Sequence, residues 1–549
     1  MNTKPNVLIL FTDEQRHDTI GAAGFPYMIT PNLDRLAAEG VIYSQAHSTN
    51  PVCMPARHDM ITGLPSKAHG YYENNEGQTI KDYSLPTLPR IFSQNGYRTA
   101  AIGKMHFKPV REHHGFGEML LMEEMPRNRQ DDQYAMDLNK EGLGEVQNIH
   151  GIRPLLYLVP QVSSQDEVHH GNTWVADKTI EWLGKNGEQP FFLMSSWISP
   201  HPPFSLPKEY FGLYSDRDIP EPVPVSRLKN AYEEDGAWYG DGEPKKVLRK
   251  LREAYYSAIT MVDKNIGRIL DYLQKSGQID NTLIIFTSDH GELLGDKGYY
   301  LKSQPYEGSV RIPFIVRYPE KFKPGLIKED FVDLMDILPT CLDVCGLSYP
   351  GSQYDLVGES LCQEHPVKNR SYQYASTGQG ISRWVMCRND SFKYVYRYYH
   401  DMEELYDLKK DPGETNNLME EDNCPAEVLQ ELRRNVLEYE LKWGPEKNVS
   451  KDGMIRQEIP EGKKLTVGMK YGLGIAGQFQ RFTAADPKAR GEQFLKEAEK
   501  ALQDPEVTGG LTMGNICNHE DYVKGFMEHW RRFAGDEVPA DRLFNNADK

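Results

Sequence analysis

Asn6-Val7-Leu8-Ile9-Leu10-Phe11-Thr12-Asp13 is an unbroken apolar run closed by a carboxylate, and Thr282-Leu283-Ile284-Ile285-Phe286-Thr287-Ser288, followed by Asp289-His290, repeats the pattern mid-chain. A strand with one wet face alternates apolar and polar side chains. These runs do not alternate, which is the pattern of strands covered by helices on both faces of a parallel sheet. Two further runs share it: residues 97–102 lead into Gly103-Lys104-Met105-His106, and residues 190–198 into Ser199-Pro200-His201-Pro202-Pro203. Ligands of open α/β sheets sit beyond the carboxyl ends of the strands. Ends bearing Asp13, Lys104, His201 and Asp289-His290 therefore point to one shared site.

Helical patterns separate the runs. Thr30-Pro31-Asn32-Leu33-Asp34-Arg35-Leu36-Ala37-Ala38-Glu39-Gly40 has a capping Thr, Pro at the first helical position and a closing Gly. Residues 88–95 close with Gly96, and residues 254–276 with Gly277. Alternating strands and helices predict an α/β domain with a doubly wound sheet over residues 1–370. From 371 to 449 the chain reads as a smaller α+β domain of aromatic-rich antiparallel strands and one helix at 425–443. Residues 450–549 form a polar extension with helices expected at 488–502 and 520–533. Polar insertions at about 121–172 and 205–250 are long for plain connections and are candidates to build a substrate pocket.

The chain has 549 residues, 39% hydrophobic and 26% charged, which excludes a disordered, collagen-like or coiled-coil protein. Its net charge of −17 disfavours nucleic acid or an anionic membrane as partner. An anionic substrate then needs a locally cationic pocket. The seven cysteines, at 53, 341, 345, 362, 387, 424 and 517, show no metal or redox spacing, and an odd number cannot all pair within one chain. A reducing compartment is expected. The apolar run at 7–11 is too short for a signal-peptide core, and no run long enough to span a bilayer occurs. The expected setting is cytoplasmic.

Cys53-Met54-Pro55-Ala56-Arg57-His58-Asp59-Met60-Ile61-Thr62-Gly63 places a Cys at the mouth of a helix, Pro two and Arg four residues later, then Thr-Gly. An isolated Cys is by default a small buried hydrophobe. Here every fixed position of C-x-P-x-R-x-x-x-x-T-G is present, and the segment resembles the signature of the sulfatase family, within the alkaline-phosphatase superfamily. The resemblance implies a large mixed, mostly parallel sheet flanked by helices. It also implies oxidation of Cys53 to formylglycine by a maturation enzyme. The hydrated aldehyde is a geminal diol: one hydroxyl attacks sulfur and releases the alcohol, and the other expels sulfate and regenerates the aldehyde. Arg57 is expected to hold the diol and its developing charge, with the helix N-terminus adding positive potential where sulfate sits.

By the same resemblance Asp13, Glu14, Asp289 and His290 are metal ligands, with the modified Cys53 facing the ion. Many members carry Asp where Glu14 stands and Asn where His290 stands. The carboxylates suit Ca²⁺, and the imidazole widens the choice to Mn²⁺ or Zn²⁺. Gly103-Lys104-Met105-His106 resembles the family's Gly-Lys-x-His, in which Lys binds sulfate and His steadies the formylglycine hydroxyl. Pro200-His201-Pro202-Pro203-Phe204 resembles the segment whose His protonates the leaving alcohol, work that suits a pKa near neutrality. Lys302, followed by Arg311-Ile312-Pro313, matches a second sulfate-binding Lys. His69-Gly70 reads as a structural turn, and Cys341 with Cys345 as core.

The resemblance spans about residues 5–345, and the strand-rich segment to about 445 agrees with the family's small C-terminal domain. Residues 450–549 match no family segment and are assigned to covering the site or forming a homo-oligomer. The expected activity is hydrolysis of a sulfate monoester, taken to be that of a sulfated carbohydrate. The alternatives are a phosphonate monoester or phosphodiester hydrolase, and a non-catalytic sulfoglycan-binding protein. Binding alone needs no leaving-group acid, so the full set of acid, base and ligands speaks against the last.

Overall fold

A computed structural model describes residues 4–457 except 76, 127, 145–148, 152–159, 225–244, 363–369, 399–401, 422–423 and 456. The helices expected at 488–502 and 520–533 lie outside the described residues. Eight strands form the main sheet: β1 (Asn6–Asp13), β2 (Val41–His47), β3 (Arg98–Gly103), β4 (Glu118–Leu121), β5 (Phe191–Pro200), β6 (Thr282–Ser288), β7 (Phe314–Arg317) and β8 (Leu326–Asp333). Their order is β8-β2-β7-β6-β1-β5-β3-β4. β7 runs antiparallel to both neighbours, and the other pairings are parallel. The sheet is mixed and mostly parallel, as the resemblance implies, and the apolar runs form its parallel centre.

The runs lack alternation because each face has its own helical layer. Val7, Ile9 and Phe11 pack with side chains of α2 (Cys53–Thr62), α3 (Leu88–Gln94) and α6 (Ile337–Val344). Leu8 and Leu10 pack with α1 (Pro31–Glu39), α4 (Gly171–Asn186) and α5 (Lys245–Lys275). Phe192 and Met194 of β5, and Leu283 and Ile285 of β6, join the first layer. Phe191, Leu193, Ile284 and Phe286 join the second. Each such side chain contributes about 1.5–3 kcal/mol on burial, which holds the strand ends in a rigid frame.

One local expectation fails. Thr30 does not cap α1; its hydroxyl accepts from the Gly21 N–H at 2.9 Å and donates to Asp34 Oδ1 at 3.1 Å. The cap comes from α5 instead, where Asp263 accepts from the N–H groups of Asn32 at 3.1 Å and Leu33 at 2.7 Å.

The second sheet is an antiparallel meander of β9 (Gln373–Thr377), β10 (Trp384–Arg388), β11 (Phe392–Arg397) and β12 (Met402–Asp407). Leu429, Leu432 and Val436 of α7 (Ala426–Trp443) cover one face, against Val385, Cys387, Tyr394 and Leu405. The other face meets the first domain. Lys393 Nζ lies 2.6 Å from both Glu307 Oε1 and Glu414 Oε1, and Val310 packs with Ala375, Trp384, Met386 and Val395. Among the described residues, no helix is long and apolar enough to cross a membrane.

Candidate active site

Four neighbouring strands, β6, β1, β5 and β3, end side by side and deliver Asp289-His290, Asp13-Glu14, His201 and Lys104. Hydrogen bonds suture the ends together. The Glu14 N–H donates to Asp289 Oδ1 at 3.0 Å, the His201 N–H to Asp13 O at 3.1 Å, and the Lys104 N–H to Ser196 O at 3.0 Å. Gly103 makes the last approach feasible. Its φ is +99°, and a Cβ there would stand 1.8 Å from Ser196 O. His201 lies between two cis peptides, Ser199-Pro200 and Pro202-Pro203.

Cys53 is the first residue of α2 and is 1% exposed. Its Sγ lies 3.3 Å from His290 Nε2, 3.8 Å from Asp13 Oδ1 and 3.9 Å from Lys104 Nζ. Burial and Asp13 push the thiol up, but Lys104, Lys302 and His290 outweigh them and hold it well below its ordinary value. Burial likewise works against the Asp13 carboxylate, yet Lys104, His201, Arg57 and Lys302 keep it well below the usual range. Asp289 goes the other way, pushed up to about 6 by burial and by Asp13.

Arg57 is buried among the strand ends. Its Nε donates to Asp289 Oδ2 at 2.9 Å and its Nη2 to Asp13 Oδ2 at 2.9 Å. Its Nη1 donates to Lys104 O at 2.6 Å and Ser196 Oγ at 3.0 Å. The guanidinium clamps both aspartates and the Lys104 backbone, so it holds the two carboxylates convergent. A fork of fixed donors suits that task.

Lys104 Nζ lies 2.5 Å from Asp13 Oδ2 and 2.8 Å from Glu124 Oε2. Lys302 Nζ donates to Glu14 Oε2 at 2.9 Å. His201 Nε2 lies 3.2 Å from the same Glu14 oxygen, and its Nδ1 2.6 Å from Pro202 O. The near-neutral pKa expected for His201 is not met. Burial lowers it to about 3, Lys302 and Lys104 adding to the effect against Glu124 and Asp13. Its imidazole is neutral until negative charge arrives to offset the lysines. The carboxyl of Glu14 is pushed well up, by burial first and then Glu292, against Lys302. His106 is half-buried, and its N–H donates to Glu123 Oε1 at 3.0 Å.

The donor set fits a divalent cation. Ligand atoms of Asp13, Cys53, Asp289 and His290 all lie within 4.8 Å of one another, as do those of Asp13, Glu14 and His201. Glu14 Oε1 and Glu292 Oε2 are both buried with no N–H or hydroxyl donor among the described residues; the two carboxyls pair with each other, which helps raise Glu14, and a cation beside Glu14 would relieve the same cost.

The sulfatase family model matches residues 5–347. The chain belongs to the sulfatase family. It is a sulfuric ester hydrolase. A second family model, the C-terminal region of N-sulphoglucosamine sulphohydrolase, matches residues 295–442 of this sulfatase. It is 32% identical over 474 residues to an arylsulfatase of Clostridium perfringens, covering 80% of this chain and 95% of the relative. It is 26% identical over 517 residues to an N-acetylglucosamine-6-O-sulfatase of Bacteroides thetaiotaomicron, covering 79% and 87%. Its fold matches the crystal structure of a phosphonate monoester hydrolase of Agrobacterium radiobacter, with TM-score 0.66, 25% identity and coverage of 83% and 100%.

The sequence reading of this sulfatase missed Glu124, Glu292, Ser196 and Trp384. Glu124 follows β4 in the insertion flagged as pocket-building, so its location was legible and its role was not. Trp384 reaches the site from the second sheet, where its Nε1 donates to Ser303 O at 2.8 Å, beside Lys302.

Proposed function

We propose that this sulfatase hydrolyses the sulfate monoester of a carbohydrate, with Cys53 matured to formylglycine and a Ca²⁺ ion held by Asp13, Asp289, His290 and Glu14. One observation carries the reading: Cys53 Sγ stands at a helix N-terminus, 3.3–3.9 Å from His290 Nε2, Asp13 Oδ1 and Lys104 Nζ. Formylglycine supplies a hydrated aldehyde as nucleophile, and the ion supplies charge to a sulfate oxygen. The chain's own residues do the rest. Lys104 and Lys302 bind the sulfate oxygens, exchanging carboxylate partners for the substrate. Arg57 keeps Asp13 and Asp289 convergent. His201, whose Nδ1–H is held at Pro202 O, presents Nε2 to the leaving oxygen; the ester's charge offsets the two lysines, so that Nε2 takes up a proton from solvent and passes it to the leaving oxygen. His106 supports the loop that carries Lys104.

The carbohydrate assignment is supported by the N-acetylglucosamine-6-O-sulfatase relative and by the C-terminal family match. The test is turnover of 4-nitrophenyl sulfate, 4-nitrophenyl phenylphosphonate and 6-O-sulfated N-acetylglucosamine by enzyme co-expressed with a maturation enzyme. The two sulfates should be hydrolysed with higher kcat/KM than the phosphonate. Preference for the phosphonate would move the assignment to phosphonate monoester hydrolysis.

A further inference from the structure

We propose that Glu124 sets the charge of the accepted substrate: its carboxylate admits singly charged ester anions to the Lys104–His201 pocket and turns doubly charged ones away. The inference rests on the sulfatase reading of the same site. Glu124 Oε2 lies 2.8 Å from Lys104 Nζ and its Oε1 lies 3.4 Å from His201 Nδ1. Its side chain is 11% exposed, against 0% for Lys104 and 3% for His201, so little water screens it.

The position of that carboxylate is built. The preceding Glu123 accepts from the N–H groups of Met105 at 2.9 Å and His106 at 3.0 Å. The Glu123 N–H in turn donates to Asp132 Oδ2 at 2.6 Å. The backbone before Glu124 is thus tied to the Lys104 loop on one side and to Asp132 on the other.

Glu124 differs from the other carboxylates here. Asp13, Glu14 and Asp289 belong to the groups whose donor atoms converge on a cation site, and Glu124 belongs to neither group. A bound divalent ion offsets their charge, whereas Glu124 has Lys104 as its partner, and when Lys104 turns to the ester that carboxylate is left beside the substrate. In poorly screened space it opposes each further negative charge on the ligand, and a fixed repulsive element is an effective means of discrimination. A sulfate monoester carries one negative charge and passes. A phosphate monoester carries two in mildly alkaline solution and is penalised. Inorganic sulfate, the product, also carries two, so the same repulsion favours its release.

The experiment uses the matured, metal-loaded enzyme and three esters with one leaving group: 4-nitrophenyl sulfate, 4-nitrophenyl phenylphosphonate, also singly charged, and 4-nitrophenyl phosphate. In Glu124→Gln the phosphate-to-sulfate ratio of kcat/KM should rise about tenfold, and inorganic sulfate should bind about tenfold more tightly by calorimetry, equivalent to about 1.4 kcal/mol. The phosphonate-to-sulfate ratio should stay unchanged, and Glu124→Asp, which keeps the charge, should keep the wild-type phosphate discrimination. An equal loss on all three esters, or an unchanged phosphate ratio and sulfate affinity in Glu124→Gln, overturns the proposal. Failure of the wild type to hydrolyse any sulfate overturns the functional reading instead, and the calorimetric comparison still decides the role of Glu124.

Discussion

The indole Nε1 of Trp384 donates to the carbonyl of Ser303 at 2.8 Å, across the boundary between the two sheets. The loop it grips carries Lys302 and is held at several more points. Lys393 Nζ donates to Pro305 O at 2.9 Å, and the Ser303 N–H donates to Pro51 O at 3.2 Å. Both Leu301 and Ser303 have positive φ, 63° and 71°, a conformation that non-glycine residues keep only when their surroundings enforce it. Trp384→Phe keeps the packing and deletes the donor. Its expected effect is a loss of about 1 kcal/mol of stability and about a tenfold drop in kcat/KM, since small misplacements of binding groups are costly. Steady-state kinetics with thermal melting checks both.

Arg57 donates to four acceptors, two of them the carboxylates of Asp13 and Asp289. Arg57→Lys keeps the charge and loses the fork, so Asp13 and Asp289 are left to repel each other. Each buried acceptor left without its donor costs about 1–3 kcal/mol. The variant should melt well below the wild type and retain less divalent metal after gel filtration. Wild-type metal content in Arg57→Lys would show that the clamp is dispensable.

Removal of divalent metal should abolish turnover and lower Tm, with Ca²⁺ restoring both. Saturation at about a hundred times Kd corresponds to about 2.7 kcal/mol of stabilisation. Titrating Ca²⁺, Mn²⁺ and Zn²⁺ into chelated enzyme while following Tm and rate ranks the ions. A chelated enzyme with an unchanged Tm and rate would contradict the assignment of Asp13, Asp289 and His290 as ligands.

Asp263 gives a pH signature away from the active site. Burial pushes its carboxyl up to about 6 while it holds the start of α1. Its folded pKa exceeds its unfolded one, so the native state binds the proton more tightly. Its contribution is present below the unfolded value and is lost as pH rises through about 6, a swing of roughly 3 kcal/mol. Asp263→Asn removes that dependence. The Tm difference between variant and wild type should move in favour of the variant between about pH 4 and about pH 6.5 and level off above it. Movement in the opposite direction would contradict the sign.

How much of this was legible follows from sequence distance. The central strands were legible because burial on both faces writes a continuous apolar run, and their ends carry Asp13, Lys104, His201 and Asp289 in plain view. β8 was not, because its first half is a charged, exposed edge, Leu326-Ile327-Lys328-Glu329-Asp330, as edge strands require. The cap of α1 was misread because Asp263 lies 230 residues from Leu33. The clamp role of Arg57 and the lowered pKa of His201 depend on which charges the fold gathers around them, and no local pattern records that.

The most direct measurement is mass spectrometry of the tryptic peptide 36–57 from enzyme co-expressed with a maturation enzyme, read alongside turnover of 4-nitrophenyl sulfate by the same sample. The expected result is an aldehyde in place of the Cys53 thiol, in proportion to activity, with Cys53→Ala folded and inactive. An unmodified Cys53 in a fully active sample would contradict the mechanism at its first atom.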